Sequence, residues 1–249
     1  MNKHARYIAI FIIILTAAGI FSVAVSRLLT SREPHVDVER ERFPVIGVDL
    51  SAHNGDIDFE KVASDGVSFV FLKATEGVDF RDPKFSENYI NARQAGIKVG
   101  AYHFFRFDRD GYEQGQNFLS VVDSLNFDLP LAIDIEEWTN PDDLSTDHII
   151  ESLRGMIIAL EGSRHKVIIY TNKRGHQRFI RGHLDEMPVW LCSFTNPPIP
   201  TDDWLLWQHS HQSHVEGIDG YVDLNTFNGD SLMWEQWLKD FAQQPTITQ

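Results

Sequence analysis

The sequence predicts an α/β protein: an irregular, TIM-like (β/α) barrel of eight strands, with helices missing between the last of them. Three observations point there. Apolar runs recur with helical stretches between them, and the first five starts are spaced by roughly 23 to 37 residues, as βα units require. The runs are continuous rather than alternating, as in parallel strands buried on both faces. Acidic residues stand at the ends of several runs, where such barrels carry their active sites. An open doubly wound sheet is the alternative that the same pattern allows.

The first strand is "PVIGVDL" (44–50), followed by an amphipathic segment that ends at Gly66. The second is "VSFVFLKA" (67–74). The helix after it has Asp82 as its cap, Pro83 in its first turn and Gly96 at its end, each a residue suited to its position. "IKVGAYHFF" (97–105) leads to a helix around Tyr112 to Leu125. "LPLAIDIE" (129–136) leads to a helix with Ser145 as cap and Gly162 as stop. "HKVIIYT" (165–171) is followed by a shorter helical stretch to about Leu184. "PVWLCSF" (188–194), "WLLWQHS" (204–210) and "GYVDLNTF" (220–227) follow too closely for full helices between them. "SLMWEQWLKDFA" reads as a terminal helix, so the barrel domain spans residues 44–242.

Residues 7–26, "YIAIFIIILTAAGIFSVAVS", are twenty residues without a charge, about the length a helix needs to cross a bilayer. Lys3 and Arg6 precede them, which orients the N-terminus to the cytoplasm. Ala24 and Ser26 allow a weak cleavage site, but the apolar stretch is long for a cleaved signal. Residues 1–26 are therefore expected to be a single-pass membrane anchor, or else a signal segment, with the rest exported. Residues 27–43 read as a polar tether.

The 249 residues carry a formal net charge of −14. Residues 1–32 hold Lys3, Arg6, Arg27 and Arg32 and no acid, leaving 18 of the 22 basic residues against all 36 acidic ones. So acidic a body argues against a nucleic-acid partner, which wants a basic stripe. The only cysteine, Cys192, permits neither an intramolecular disulfide nor a cysteine-based zinc site. Its apolar setting predicts a buried, inert thiol. A monomer is expected.

"LPLAIDIEEW" (129–138) runs an apolar strand into a cluster of acids. Asp134 and Glu136 are two apart, so on a strand they share a side, about 6.6 Å apart at Cα. Such a pair drives its two pKa values apart, so that one carboxyl stays protonated as a general acid. Paired carboxylates are the usual equipment for cleaving glycosidic bonds. Asp49 and Asp223 lie at other strand ends. Helix caps or surface ion pairs would also account for any one of these acids alone.

The segments "GVDLSAHNGDIDFEKV", "FVFLKATEG", "KVGAYHFF", "LAIDIE", "VIIYTN", "PVWLCSF", "LLWQHS" and "VDLNTFNG" occur in that order. Together they resemble glycoside hydrolase family 25, the Chalaropsis-type lysozymes, over about residues 45–230. The resemblance implies a muramidase acting on the β-1,4 bond between N-acetylmuramic acid and N-acetylglucosamine of peptidoglycan, without metal or organic cofactor. It implies Glu136 as the general acid and Asp134 as the partner that stabilises positive charge at the sugar. It implies Asp49 and Asp223 as supporting acids, and Tyr102, His103, Tyr170, Trp207 and Gln208 as substrate-binding or shaping residues. Lys73 and Glu76 are expected as a supporting ion pair.

Two features depart from the family pattern. Glu137 adds a third acid, expected to face away from the pair. "HSHQSH" (209–214) brings His209, His211 and His214 close in sequence, yet with no carboxylate partner in view they are expected to face solvent rather than a metal. Two other functions stay open: a chitinase-like hydrolase, because chitinases also use spaced acids on barrel strands, and an inactive glycan-binding scaffold. The order of the segments argues against the first and the intact acid set against the second.

Overall fold

The computed structural model describes residues 38–198 and 204–243. The expected anchor and most of the tether lie outside these residues. Among the described residues no helix is long and apolar enough to cross a membrane.

The chain alternates β1 (Ile46–Leu50), α1 (Phe59–Ser64), β2 (Val67–Glu76), a short β3 (Phe80–Arg81), α2 (Phe85–Gln94), β4 (Lys98–Phe104), α3 (Gly111–Val122), β5 (Leu131–Asp134), α4 (Thr146–Glu161) and β6 (Val167–Asn172). A three-residue α5 (Lys173–Gly175) runs on into a π-helical turn, His176–Ile180. β7 (Val189–Cys192), β8 (Leu206–Ser213) and β9 (Val222–Phe227) then follow without helices, and α6 (Ser231–Gln243) ends the fold. β1 pairs with both β2 and β9, so eight strands close into a barrel and the open sheet is excluded. β3 pairs only with the end of β2, outside the ring.

One strand departs from the parallel pattern. β9 runs antiparallel to β1 and to β8. The eight residues between β8 and β9 are too few for a crossover, so the two can only form a hairpin. The start of β9 therefore lies at the barrel mouth, beside the ends of the other strands.

Strand alternation divides the core into two layers. Val45, Phe69, Phe71, Ala132, Ile168, Trp190 and Leu206 fill the barrel interior. Val48, Val70, Leu72, Ala101, Ile133 and Ile169 belong to a second cluster, with the helices. Two strand glycines make room inside: a Cβ at Gly47 would meet the Phe69 ring at 2.2 Å, and one at Gly100 the Phe71 ring at 2.5 Å. α6 plugs the base, with Trp234 5.3 Å from Phe69 and 5.1 Å from Phe227 between ring centroids.

Local signals hold in most places. Ser145 caps α4 by accepting from the His148 amide at 3.2 Å. Asp82 does not sit directly at a helix start. One of its oxygens accepts from the Lys84 amide at 2.8 Å, and the other reaches the Ala52 amide at 2.9 Å, tying α2 to the loop after β1.

Candidate active site

The barrel mouth holds a cleft of about 690 Å³. Asp49, Tyr102, Asp134, Glu136, Tyr170, Gln208 and Asp223 all line it. They come from six strands and the loop after β5, so only barrel closure brings them together.

β5 ends at Asp134, which leaves Glu136 in the following loop rather than on the strand. Asp134 is 7% exposed, and its Oδ1 is buried without a hydrogen-bond partner among the described residues. Burial, then the nearby Glu136 and Asp49 charges, holds Asp134 well above the ordinary carboxylate range. Burial and the charge of Asp49 push Glu136 up to about 7. A carboxyl with that pKa keeps a proton at mildly acidic pH and can give it away.

Asp49 and Asp223 face each other across the β1–β9 ladder. Asp49 accepts from Asn225 Nδ2 at 2.7 Å and Gln208 Nε2 at 2.9 Å. Those amides are oriented from behind. The Trp190 indole N–H, which can only donate, meets Asn225 Oδ1 at 2.8 Å, and Tyr170 Oη donates to Gln208 Oε1 at 2.7 Å. Burial, partly offset by these donors, leaves Asp49 at about 6. Burial and the Asp49 charge push Asp223 up to about 8. Asp223 shares a hydrogen bond with Asp49 and is the member of the pair that more readily keeps a proton.

Lys73 and Glu76 form the expected ion pair at 2.7 Å on the cleft wall. Glu137 faces away from the acid pair, gripped by Arg178 at 2.7 Å and Arg174 at 3.1 Å.

Two expected substrate-binding residues lie elsewhere. His103 is fully buried, its ring nitrogens bonded to Thr75 Oγ1 at 2.7 Å and Gln114 Oε1 at 3.2 Å. Burial pushes its pKa down to about 3. Trp207 belongs to the outer cluster and donates its indole N–H to Ser193 O at 2.9 Å. The reason is parity. Tyr102 and Gln208 point inward, so their immediate neighbours His103 and Trp207 point outward.

The histidines of residues 209–214 do not all face solvent. His209 is buried 5.4 Å from the Trp207 ring, His211 lies 4.4 Å from Phe194, and exposed His214 lies 4.8 Å from Tyr221. They turn to three different neighbours. Among the described residues no cluster of three or more His, Cys, Asp or Glu is arranged to hold a metal. Cys192 is buried, and burial pushes its thiol up to about 12.

The cleft also contains Ser51, His53, Asn54, Arg106, Trp138 and Thr139, none of which the sequence reading singled out. Most lie within four residues after a strand end, and that position in a barrel was the available signal. Trp138 is 73% exposed at the rim. Asn225, which orients Asp49, shares the inward face of β9 with Asp223.

Residues 48–218 match the family model for glycosyl hydrolases family 25. The chain is 33% identical to the uncharacterized protein YegX of Escherichia coli K12 over 195 residues, covering 75% of this chain and 71% of that one. It is 34% identical to lysozyme M1 of Streptomyces globisporus over 204 residues, covering 75% and 69%. A family 25 glycosyl hydrolase structure from Bacillus anthracis superposes with a TM-score of 0.74 at 31% identity, covering 83% of this chain and 98% of that one. With the closed barrel and its acid-lined mouth, these matches establish that the chain belongs to glycoside hydrolase family 25 and is a glycoside hydrolase.

Proposed function

We propose that the protein is a peptidoglycan muramidase, in which Glu136 is the general acid and Asp134 its stabilising partner. The observation that carries this reading is the buried, unpartnered Oδ1 of Asp134 in the same cleft as a carboxyl with a pKa of about 7. A buried acceptor without a donor is costly, and a 2-acetamido N–H of the substrate is the donor such a site would take. Glu136 protonates the glycosidic oxygen as that C–O bond breaks. The acetamido oxygen attacks the anomeric carbon, and Asp134, whose anion is favoured by the donated N–H and by the positive charge that forms, accepts from the N–H and offsets that charge. Glu136 then takes a proton from the water that opens the cyclic intermediate. Two displacements retain configuration, which makes this one of the substrate-assisted exceptions to the two-carboxylate scheme. The lysozyme name of a relative 34% identical over most of both chains supports the peptidoglycan substrate.

The test is digestion of purified peptidoglycan beside chitin, with mass spectrometry of the products and rapid NMR of the first anomer released. Fragments ending in reducing muramic acid, first formed with retained configuration, are expected. Chitin cleavage alone would sink the muramidase reading. An inverted first product, or undiminished cleavage of glycan whose muramic residues lack the acetyl group, would sink the assisted route.

The charge-free stretch at residues 7–26 supports a tether to the membrane with the barrel exported. Fractionation of the full chain should find it in membranes, sensitive to protease added from the exported side. A mature N-terminus near Arg27 would identify a cleaved signal instead.

A further inference from the structure

Glu136 lies beyond the last residue of β5, so the sheet ladder does not by itself fix it. The neighbouring residues do. Ile135, just before it, donates its amide to Tyr170 O at 2.9 Å and accepts from Thr171 Oγ1 at 2.7 Å, which ties it to β6. On the other side, Asn140 folds back over the turn. Its Nδ2 donates to Glu136 O and Phe105 O, each at 2.9 Å, and its Oδ1 accepts from the Phe107 amide at 2.9 Å. The turn passes through Thr139 at φ 59°, the only non-glycine residue with positive φ among the described residues. Threonine rarely adopts that conformation, so other contacts must hold it.

The third acid of the motif supplies one. Glu137 accepts from Arg178 Nη1 at 2.7 Å, and Arg174 Nε lies 3.1 Å from its other oxygen. Arg178 is itself fixed by Thr146 Oγ1 at 2.9 Å and Leu144 O at 3.1 Å, at the start of α4. The arginine therefore joins the loop carrying Glu136 to two packed elements.

We propose that Asn140, Glu137 and Arg178 form a clamp that holds Glu136 in its cleft-facing position, and are positioning residues for the catalytic acid. The inference rests on the reading of Glu136 as that acid. A loosened loop lets water reach Glu136, and its proton is then held less tightly. The titratable and charged groups around it are Asp49 of β1, His53 in the turn after it, Lys73 and Glu76 of β2, Tyr102 of β4, Arg106, Asp134, Tyr170 of β6, Cys192 of β7 and Asp223 of β9. None of them is altered in the variants below.

The experiment uses the full-length chain carrying Glu137→Gln, Asn140→Ala or Arg178→Lys. It measures kcat, KM, the pH–rate profile and the melting temperature on a soluble peptidoglycan oligosaccharide. Glu137→Gln keeps the side-chain volume and serves as the decisive variant should Asn140→Ala fail to fold. The first two changes are expected to lower kcat by about 10- to 100-fold, since small misplacements of a reacting group cost that much. KM should change by less than about twofold. The alkaline limb of the profile should move to lower pH by about one unit, as Glu136 relaxes toward an ordinary carboxyl. Arg178→Lys, which keeps the cation that pairs with Glu137, should retain most of the wild-type rate. Losses that follow the folded fraction with an unmoved alkaline limb would overturn the clamp. Full activity in Glu136→Gln would overturn the acid assignment itself, a result distinct from an unmoved limb.

Discussion

Replacing Asp223 with Asn should make this protein more stable at neutral pH while impairing it as an enzyme. The folded protein holds Asp223 up to about 8 against an ordinary value of 3.8. Below pH 4 both folded and unfolded chains keep the proton. Between about 4 and 8 the unfolded chain releases it and the folded chain does not, so the folded state binds more protons and stability falls as pH rises. At pH 7 the gap spans about three pKa units, which at about 1.4 kcal/mol each gives an upper bound of about 4 kcal/mol. Asparagine needs no proton to remain neutral opposite Asp49, and its amide can donate to that carboxylate. Allowing for imperfect geometry, a gain of about 2 to 4 kcal/mol is expected at pH 7, or roughly 5 to 15 °C in Tm for a domain of this size. At pH 4.5 the gain should shrink to under about 1 kcal/mol. Circular-dichroism melts of both proteins at the two pH values test this. Equal shifts at both, or a lower Tm for Asp223→Asn at pH 7, would refute the reasoning.

Glu136→Gln should lower kcat by about 100- to 10,000-fold with the fold intact, and adding Asp134→Asn should cost far less than the product of the single effects, because the pair acts as a unit; full additivity in steady-state kinetics would count against a shared role. Wild-type activity should fall as pH rises through about 7, where Glu136 loses its proton; a pH–rate profile flat from 6 to 9 would contradict this. Trp138→Ala should raise KM several-fold with little change in kcat, since an exposed rim indole offers a stacking face rather than chemistry; initial-rate measurements separate the two constants. Activity should survive a chelator, because the proposed proton transfers run between carboxyls and substrate; loss on chelation with rescue by one metal would revive the metal reading of His209, His211 and His214.

Much of this molecule was legible in the chain. The eight apolar runs became the eight barrel strands, because strands buried on both faces must be apolar throughout. Ser145 capped its helix because capping is local chemistry. The acids Asp49, Asp134 and Glu136 could be placed near the mouth from their positions at the C-terminal ends of strands, whereas Asp223 stands near the start of β9 and reaches the mouth because that strand runs antiparallel.

Which neighbour faced inward was a different matter. In a strand apolar on both sides, composition does not distinguish the barrel interior from the helix layer, so Tyr102 and His103 looked equivalent, as did Trp207 and Gln208. Closure of the ring set the parity, sent His103 to Thr75 and Gln114, and turned Gln208 to Asp49. The antiparallel course of β9 set Asp223 against Asp49, a pairing across 174 positions of chain that no local pattern contains. The sequence by itself determined which segments are strands and which residue types carry the chemistry, because propensity and charge are properties of neighbours in the chain. Only the tertiary structure decided which carboxyls meet and how deeply each is buried, and hence which keeps a proton, because burial and pairing depend on residues far apart in sequence.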